Sequence, residues 1–200
     1  MAEAVESLER RVLTPIKATA ESLEGYGYLI AEPDDSVRAK IEFYGKDAIV
    51  SQPAQFRSNE DTCLNLVSFN PRAYEVKWME YHTKHTQTFI PLSGKPFYMV
   101  LGKPTARQPD GSWDDAASAL PDPDTLRAFE FDGSGGIVMN IGTWHEVPFP
   151  INEPTHFVCI CTNEVNTNLE AGGPDGECEG GDLSKRNISK QFGFTLHIDV

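Results

Sequence analysis

The 200-residue sequence has no apolar run approaching the roughly 18 residues of a membrane span, so a soluble chain is expected. Its first residues, MAEAVESLERR, are charged and lack the apolar stretch of a secretory signal, which points to a cytoplasmic location. Basic residues are few: 17 Lys and Arg stand against 30 Asp and Glu, for a formal net charge of -13. That deficit argues against nucleic acid as a partner, because such binders carry a basic footprint. It also sets a field that repels acids, so an acidic ligand would need a local cation, either a metal or a buried Lys or Arg. The four cysteines contain no CxxC pair. Cys159 and Cys161 share one face of the strand-like FVCICT and fit small buried groups in a reducing compartment. The GSGG at 133–136 has no following helix or P-loop lysine, which excludes a nucleotide cradle of that type. Helical periodicity is nearly absent, and there is neither a βαβ rhythm nor a solenoid repeat.

What is present is enough apolar residue, 40% of a 22.2 kDa chain, for one cored domain. Residues 1–11 read as a charged lead-in. VLTPIKATAESLEGYGYLI then reads as strand, helical turn and strand, with Thr19 or Ser22 capping the turn. EPDDS at 32–36 is a turn cluster. IEFYGKDAIVSQ, TCLNLVSFNP and AYEVKWMEYH alternate apolar and polar residues at hairpin spacing. An irregular stretch over 103–123 contains DDAASAL, long enough for one helical turn. Strands resume at 126–149 and 155–162. Residues 163–187 are acidic and glycine-rich, the composition of a flexible segment or lid, and 188–200 end the chain as a final strand. Many short strands with turn signals indicate an all-β antiparallel sandwich or barrel spanning 12–162.

Within it, WMEYHTKHTQTFIPLSG concentrates polar chemistry in strand-like sequence. Glu80 and His82 point to one face of an extended strand, while His85 and Gln87 have the opposite parity. For both pairs to face one interior, the chain must bend across Thr83 and Lys84. A polar cluster entering a buried space is costly unless it binds something.

The gaps in Glu80-x-His82-x4-Gln87-x6-Gly94 equal those of the first cupin motif, and Gly136-x5-Gly142-x2-His145 those of the second. In wording, ESLEGYGYLI, MEYHTKHTQTFIPLSGKPFYMVLG and LRAFEFDGSGGIVMNIGTWHEVPF resemble the ureidoglycolate lyase family, cupins of purine (allantoin) degradation. The likeness runs from about residue 12 to about residue 162. It implies a cupin-type jelly-roll barrel with short peripheral helices, a homodimer, and cleavage of ureidoglycolate to glyoxylate and urea. Glu146 stands where the family often has a second histidine, and the chain beyond Asn163 exceeds the compact bacterial members.

That reaction needs a base for the hydroxyl proton and help for departing urea. Glu80, His82, Gln87 and His145 form a candidate ligand set for a divalent metal: nickel, zinc, manganese or iron. The metal-free alternative makes His82 or His145 the base, oriented by Glu80. Gln87 and the backbone or hydroxyl of Thr86 would then hold the substrate carboxylate. His85 would touch substrate if it faces inward, and cap the sheet edge if it faces the rim. Trp144 is a pocket wall or a core residue. Glu146 is a surface charge or a dimer contact, Arg72 and Lys103 are candidate carboxylate partners but most simply surface cations, and His156 and His197 are ordinary strand histidines. Gly94, Gly136 and Gly142 are assigned to turns requiring positive φ. Two other functions stay open: a cupin enzyme for another small hydroxy- or keto-acid, and a non-catalytic small-acid-binding cupin.

Overall fold

The computed structural model describes residues 8–32, 38–39, 48–59, 61–106, 119–173 and 175–200. Most of the lead-in, the turn cluster at 32–36, most of the strand expected over 41–52 and the helical turn at 114–120 lie outside them. Elements are numbered in chain order. One five-stranded sheet runs β3 (Gly27–Ile30), β10 (Gly136–Met139), β7 (Thr88–Pro91), β13 (Thr155–Thr162) and β4 (Thr62–Phe69). The second sheet runs β14 (Leu183–Asn187), β6 (Trp78–His82), β11 (Trp144–His145), β8 (Phe97–Gly102), β9 (Arg127–Phe131) and β2 (Ile16–Lys17). Strand β12 (Phe149–Pro150) also pairs with β8. Nearly all pairings in these two sheets are antiparallel, and among the described residues only short helices flank them, so the architecture is an all-β barrel of the cupin type.

Alternation divides each strand between two cores. Phe97, Met99 and Leu101 of β8, with Phe129 and Phe131 of β9, point into the barrel, where they meet Phe89 and Phe157 of the other sheet. Phe97 stacks on Phe131 at 4.7 Å, and Phe157 packs edge-on against Phe97 at 4.9 Å. These aromatic pairs fill one end of the barrel and leave the other to the polar side chains of β6 and β11.

The opposite faces of β6, β8 and β11 carry Met79, Tyr81, Val100 and Trp144, which form a second core. It is covered by a small sheet of β1 (Glu9–Leu13), β15 (Phe194–Ile198) and β5 (Glu75–Val76), through Val76, Phe194, Leu196 and Ile198. The strand that carries the polar cluster is therefore packed on both faces, which makes its placement rigid.

Composition suggested a flexible segment over 163–187, and the structure differs. Residues Asn163–Gly172 form helix α1, held by Val165 and Leu169, four apart on one face, against the barrel core. Residues Leu183–Asn187 form β14, paired along its whole length with β6. The final segment likewise contains α2 (Ile188–Phe192) before β15. Thr19 and Ser22 exchange backbone and side-chain hydrogen bonds at 2.9 and 3.0 Å, as expected of a capped turn. No helix among the described residues is long and apolar enough to cross a membrane.

Candidate active site

Strand β6 ends at His82, a bend occupies Thr83 and Lys84, and β7 begins at Thr88. The bend swings Gln87 back towards His82, leaving Gln87 Oε1 3.2 Å from His82 Nε2. His145 arrives from β11, opposite Glu80 in register, after a turn in which Gly142 adopts φ 84°. The amide of that glycine donates to the His82 carbonyl at 2.7 Å, so the second motif is tied to the first through backbone. Gly94 also has positive φ, but Gly136 does not; it lies in β10, where a Cβ would collide with the carbonyl oxygen of Phe89. Close strand approach, rather than a turn, excludes a side chain there.

Glu80, His82, Gln87 and His145 thus lie side by side. Glu80 Oε1 is 3.8 Å from His82 Nε2 and 3.4 Å from His145 Nε2, and the rings of His82 and His145 are 5.2 Å apart. His85 joins them, its ring 4.6 Å from that of His82, so it faces inward.

The imidazoles are oriented alike. Nδ1 of His145 lies 3.0 Å from the Thr143 carbonyl, Nδ1 of His85 2.7 Å from Asp182 Oδ2, and Nδ1 of His82 3.3 Å from the Asp182 carbonyl. The Thr143 carbonyl and the Asp182 carboxylate can only accept, which places a ring proton on Nδ1 of His145 and of His85, whereas His82 faces an acceptor at both nitrogens, the Asp182 carbonyl at Nδ1 and Gln87 Oε1 at Nε2. Nε2 of His85 and of His145 has no hydrogen-bond partner although both atoms are buried. The 3.4 Å approach of His145 Nε2 to the Glu80 carboxylate falls outside hydrogen-bond geometry. Burial, reinforced by His145 and His85, pushes the His82 imidazole down to about 3, so that ring is neutral. Burial pushes the Glu80 carboxyl up, but His145, His82 and Lys185 outweigh it and hold Glu80 below its ordinary value.

Ligand atoms of Glu80, His82 and His145 lie within 4.8 Å of one another, a group that could hold a metal ion. Two imidazoles and a carboxylate, with one buried imidazole nitrogen facing the carboxylate unpaired, fit a borderline divalent cation. The adjacent thiols do not join this set. The Cys161 thiol is pushed up by Cys159 beside it and by burial, and Asn65 and Asn166 donate to the sulfurs of Cys161 and Cys63 at 3.3 Å.

Several expected roles move. Trp144 alternates away from His145 onto the outer face, where it is fully buried against Tyr81 and donates Nε1 to Thr105 Oγ1, so it is core and not pocket wall. Glu146 and Arg72, expected at the surface, form a half-buried pair at 3.7 Å. Arg72 donates to the carbonyls of Val147 and Pro148 and stacks on Phe149. Burial pushes the Glu146 carboxyl up to about 7 despite Arg72. Thr86 and Gln87, expected to hold a carboxylate, have protein partners. The Thr86 amide and hydroxyl bond the backbone of Arg57, and the Gln87 amide group bonds His82 and the Cys159 sulfur. His156 is exposed and His197 bonds Thr195, both away from the site.

Asp182 and Lys185 complete the site without having been singled out in the sequence. Asp182 is fully buried; besides His85 it accepts hydrogen bonds from the amides of Thr83 and Lys84 and from the Thr162 hydroxyl. Burial raises its carboxyl, but the bonds from His85 and Thr162 prevail and hold it below the ordinary range. Lys185 pairs with Glu80 in register, which puts it on the inward face. The only available signal was the short alternating LSKRN, obscured by its glycine-rich approach. Next to the site, a cavity of about 870 Å³ is lined by Tyr28, Arg57, Thr86 and Asn140 among others.

A family model described as ureidoglycolate lyase matches residues 10–178. The chain is 28% identical over 110 residues to a ureidoglycolate lyase of Schizosaccharomyces pombe, a match covering 54% of this chain and 49% of that one. It is 26% identical over 100 residues to one of Azotobacter vinelandii, covering 50% and 52% of the two chains. The chain thus spans about half the length of these two curated relatives. With a ureidoglycolate lyase of Pseudomonas paraeruginosa, identity is 25% over 166 residues, 83% of this chain and 86% of the other. Since the family model takes in most of its residues, cupin motifs included, the chain belongs to the ureidoglycolate lyase family.

Proposed function

We propose that this protein cleaves ureidoglycolate to glyoxylate and urea. The reading is supported by family membership and, above all, by one structural relationship. Glu80 stands beside Nε2 of both His82 and His145, while His85, held at Nδ1 by Asp182, keeps a buried Nε2 with no hydrogen-bond partner.

In this reading Glu80, His82 and His145 hold a divalent ion such as nickel, zinc, manganese or iron, with the Gln87 amide oxygen beside His82 Nε2 as a further oxygen of the set. When bound, such an ion supplies Lewis-acid stabilisation of the oxygen that becomes the carbonyl. His85, kept in one tautomer by Asp182, takes the substrate hydroxyl proton at Nε2. As the C–O bond becomes the carbonyl of glyoxylate, the C–N bond breaks, and its electron pair leaves with the urea nitrogen. The proton held by His85 passes to that nitrogen, so the reaction closes without another reactant. The buried setting excludes water from the imidazoles and strengthens each of these interactions.

The test is direct. Purified protein is expected to release urea and glyoxylate at equal rates, saturating with ureidoglycolate; release only at the spontaneous rate would refute the reading. Asp182 and Lys185 lie beyond the family match, which favours as a second reading a related small hydroxy acid as substrate. A thermal-shift panel of such acids separates the two. We also propose a homodimer in the cytoplasm, formed through the edge strand β4, where Leu64 and Leu66 stand 67% and 71% exposed.

A further inference from the structure

A small acid entering this protein meets a net charge of -13, so its carboxylate requires a cation in the site itself. The groups that the cupin motifs offered for this task, Thr86 and Gln87, are engaged with Arg57, His82 and Cys159. The inward face of the sheet offers another. Lys185 of β14, Glu80 of β6 and His145 of β11 form one continuous row of cross-strand partners. Partners in such a row project to the same side, with side chains about 5 Å apart at their bases. Lys185 is 7% exposed, and its ammonium lies 4.5 Å from the ring centre of Trp78, which flanks Glu80 on the same face. Its buried stem and aromatic neighbour restrict where the charge can go, as a binding site for a planar anion requires.

We propose that Lys185 is the carboxylate-binding residue of the site, supplied by a strand beyond the residues matched by the family model. The inference rests on the reading of the site as one for a small hydroxy acid. It adds a role for the C-terminal segment: β14 carries the charge that selects acids over neutral analogues. Two other cations near the site are placed differently. Arg57 lines the outer cavity, and Lys84 stands in the bend after β6, outside that row.

The experiment measures binding of glycolate and of its neutral counterpart glycolamide by calorimetry, on full-length protein with whatever metal it retains. The wild type is expected to prefer glycolate by about 10- to 100-fold, the range of a hydrogen bond to a charged group. Lys185→Met should reduce that preference to about threefold or less, and Lys185→Arg should keep most of it. Arg57→Met should leave it intact. A wild-type protein without acid preference, a Lys185→Met protein that keeps it, or its loss in Arg57→Met would each overturn the proposal. Should Lys185→Met fail to fold, Lys185→Gln and Lys185→Arg make the same comparison of charge. If Lys185 serves only to hold Glu80, both ligands weaken together and the ratio stands, which also overturns it. Failure of the parent reading is separately visible: ureidoglycolate cleavage stays at the spontaneous rate while the binding ratio is still measured.

Discussion

The carboxylate of Asp182 lies 2.7 Å from Nδ1 of His85, two fully buried groups 97 positions apart in the chain. Through the same carboxylate the bend at Thr83 and Lys84 is pinned, so one residue sets both the tautomer of His85 and the path that returns Gln87 to His82. Asp182→Asn replaces one acceptor by a donor facing donors and should destabilise the fold by about 2–4 kcal/mol at pH 7. Because the Asp182 carboxyl is held below its ordinary 3.8, that stability is present above 3.8 and is lost as pH falls through the folded value. Urea denaturation of both proteins at pH 7 and near pH 3 should therefore show a gap that narrows in acid; an equal gap at both would refute the assignment.

Glu80, His82 and His145 form the proposed metal group, and each contributes one ligand atom. His82→Ala and His145→Ala should each lower the metal content of purified protein, measured by elemental analysis, and reduce turnover by 100-fold or more, on the order of 3 kcal/mol of barrier. Chelation should lower turnover of the wild type, and readdition should restore it. Full activity after exhaustive demetallation would remove the ion from the mechanism.

Glu146 titrates in the neutral range for a structural reason: burial outweighs its pairing with Arg72 and carries its carboxyl from 4.5 to about 7. A folded state that binds this proton more tightly than the unfolded chain loses stability as pH rises from 4.5 through about 7. Glu146→Gln has no such titration. Relative to wild type it should be more stable at pH 8 than at pH 5, and chemical denaturation at the two values checks the sign.

Strand β4 alternates exposed and half-buried residues along its length, with Leu64 and Leu66 outward on a sheet edge. Leu64→Glu with Leu66→Glu should convert the proposed dimer to monomer in analytical ultracentrifugation without shifting the midpoint of unfolding downwards. A wild-type monomer, or a dimer in the double variant, would place the contact elsewhere or abolish it.

Much of the site was legible because cupin geometry is written in short spacings. Parity alone required the bend between His82 and Gln87, and β-alternation with the two motif gaps brought His145 to Glu80. The same alternation decides between the two readings of Trp144, pocket wall or core, by sending it outward into the core once His145 is placed inward. Glu146 looked like a surface charge because its partner, Arg72, lies 74 positions earlier and only the fold brings them together. Asp182 and Lys185 were missed for a different reason. Their approach, GGPDGECEGG, has the composition of a loose segment, and what orders them is pairing with β6, a strand about a hundred residues away. Such long-range pairing leaves almost no local trace.

Because β6 takes β14 as its neighbour, the imidazole cluster is completed by a strand that follows the rest of the barrel in sequence. A nascent polypeptide can close most of the barrel earlier, yet it carries an open β6 margin and a His85 without its anchor until residues 182–187 have emerged. The imidazole cluster would then be assembled in two stages, its histidines first and the anchor of His85 afterwards.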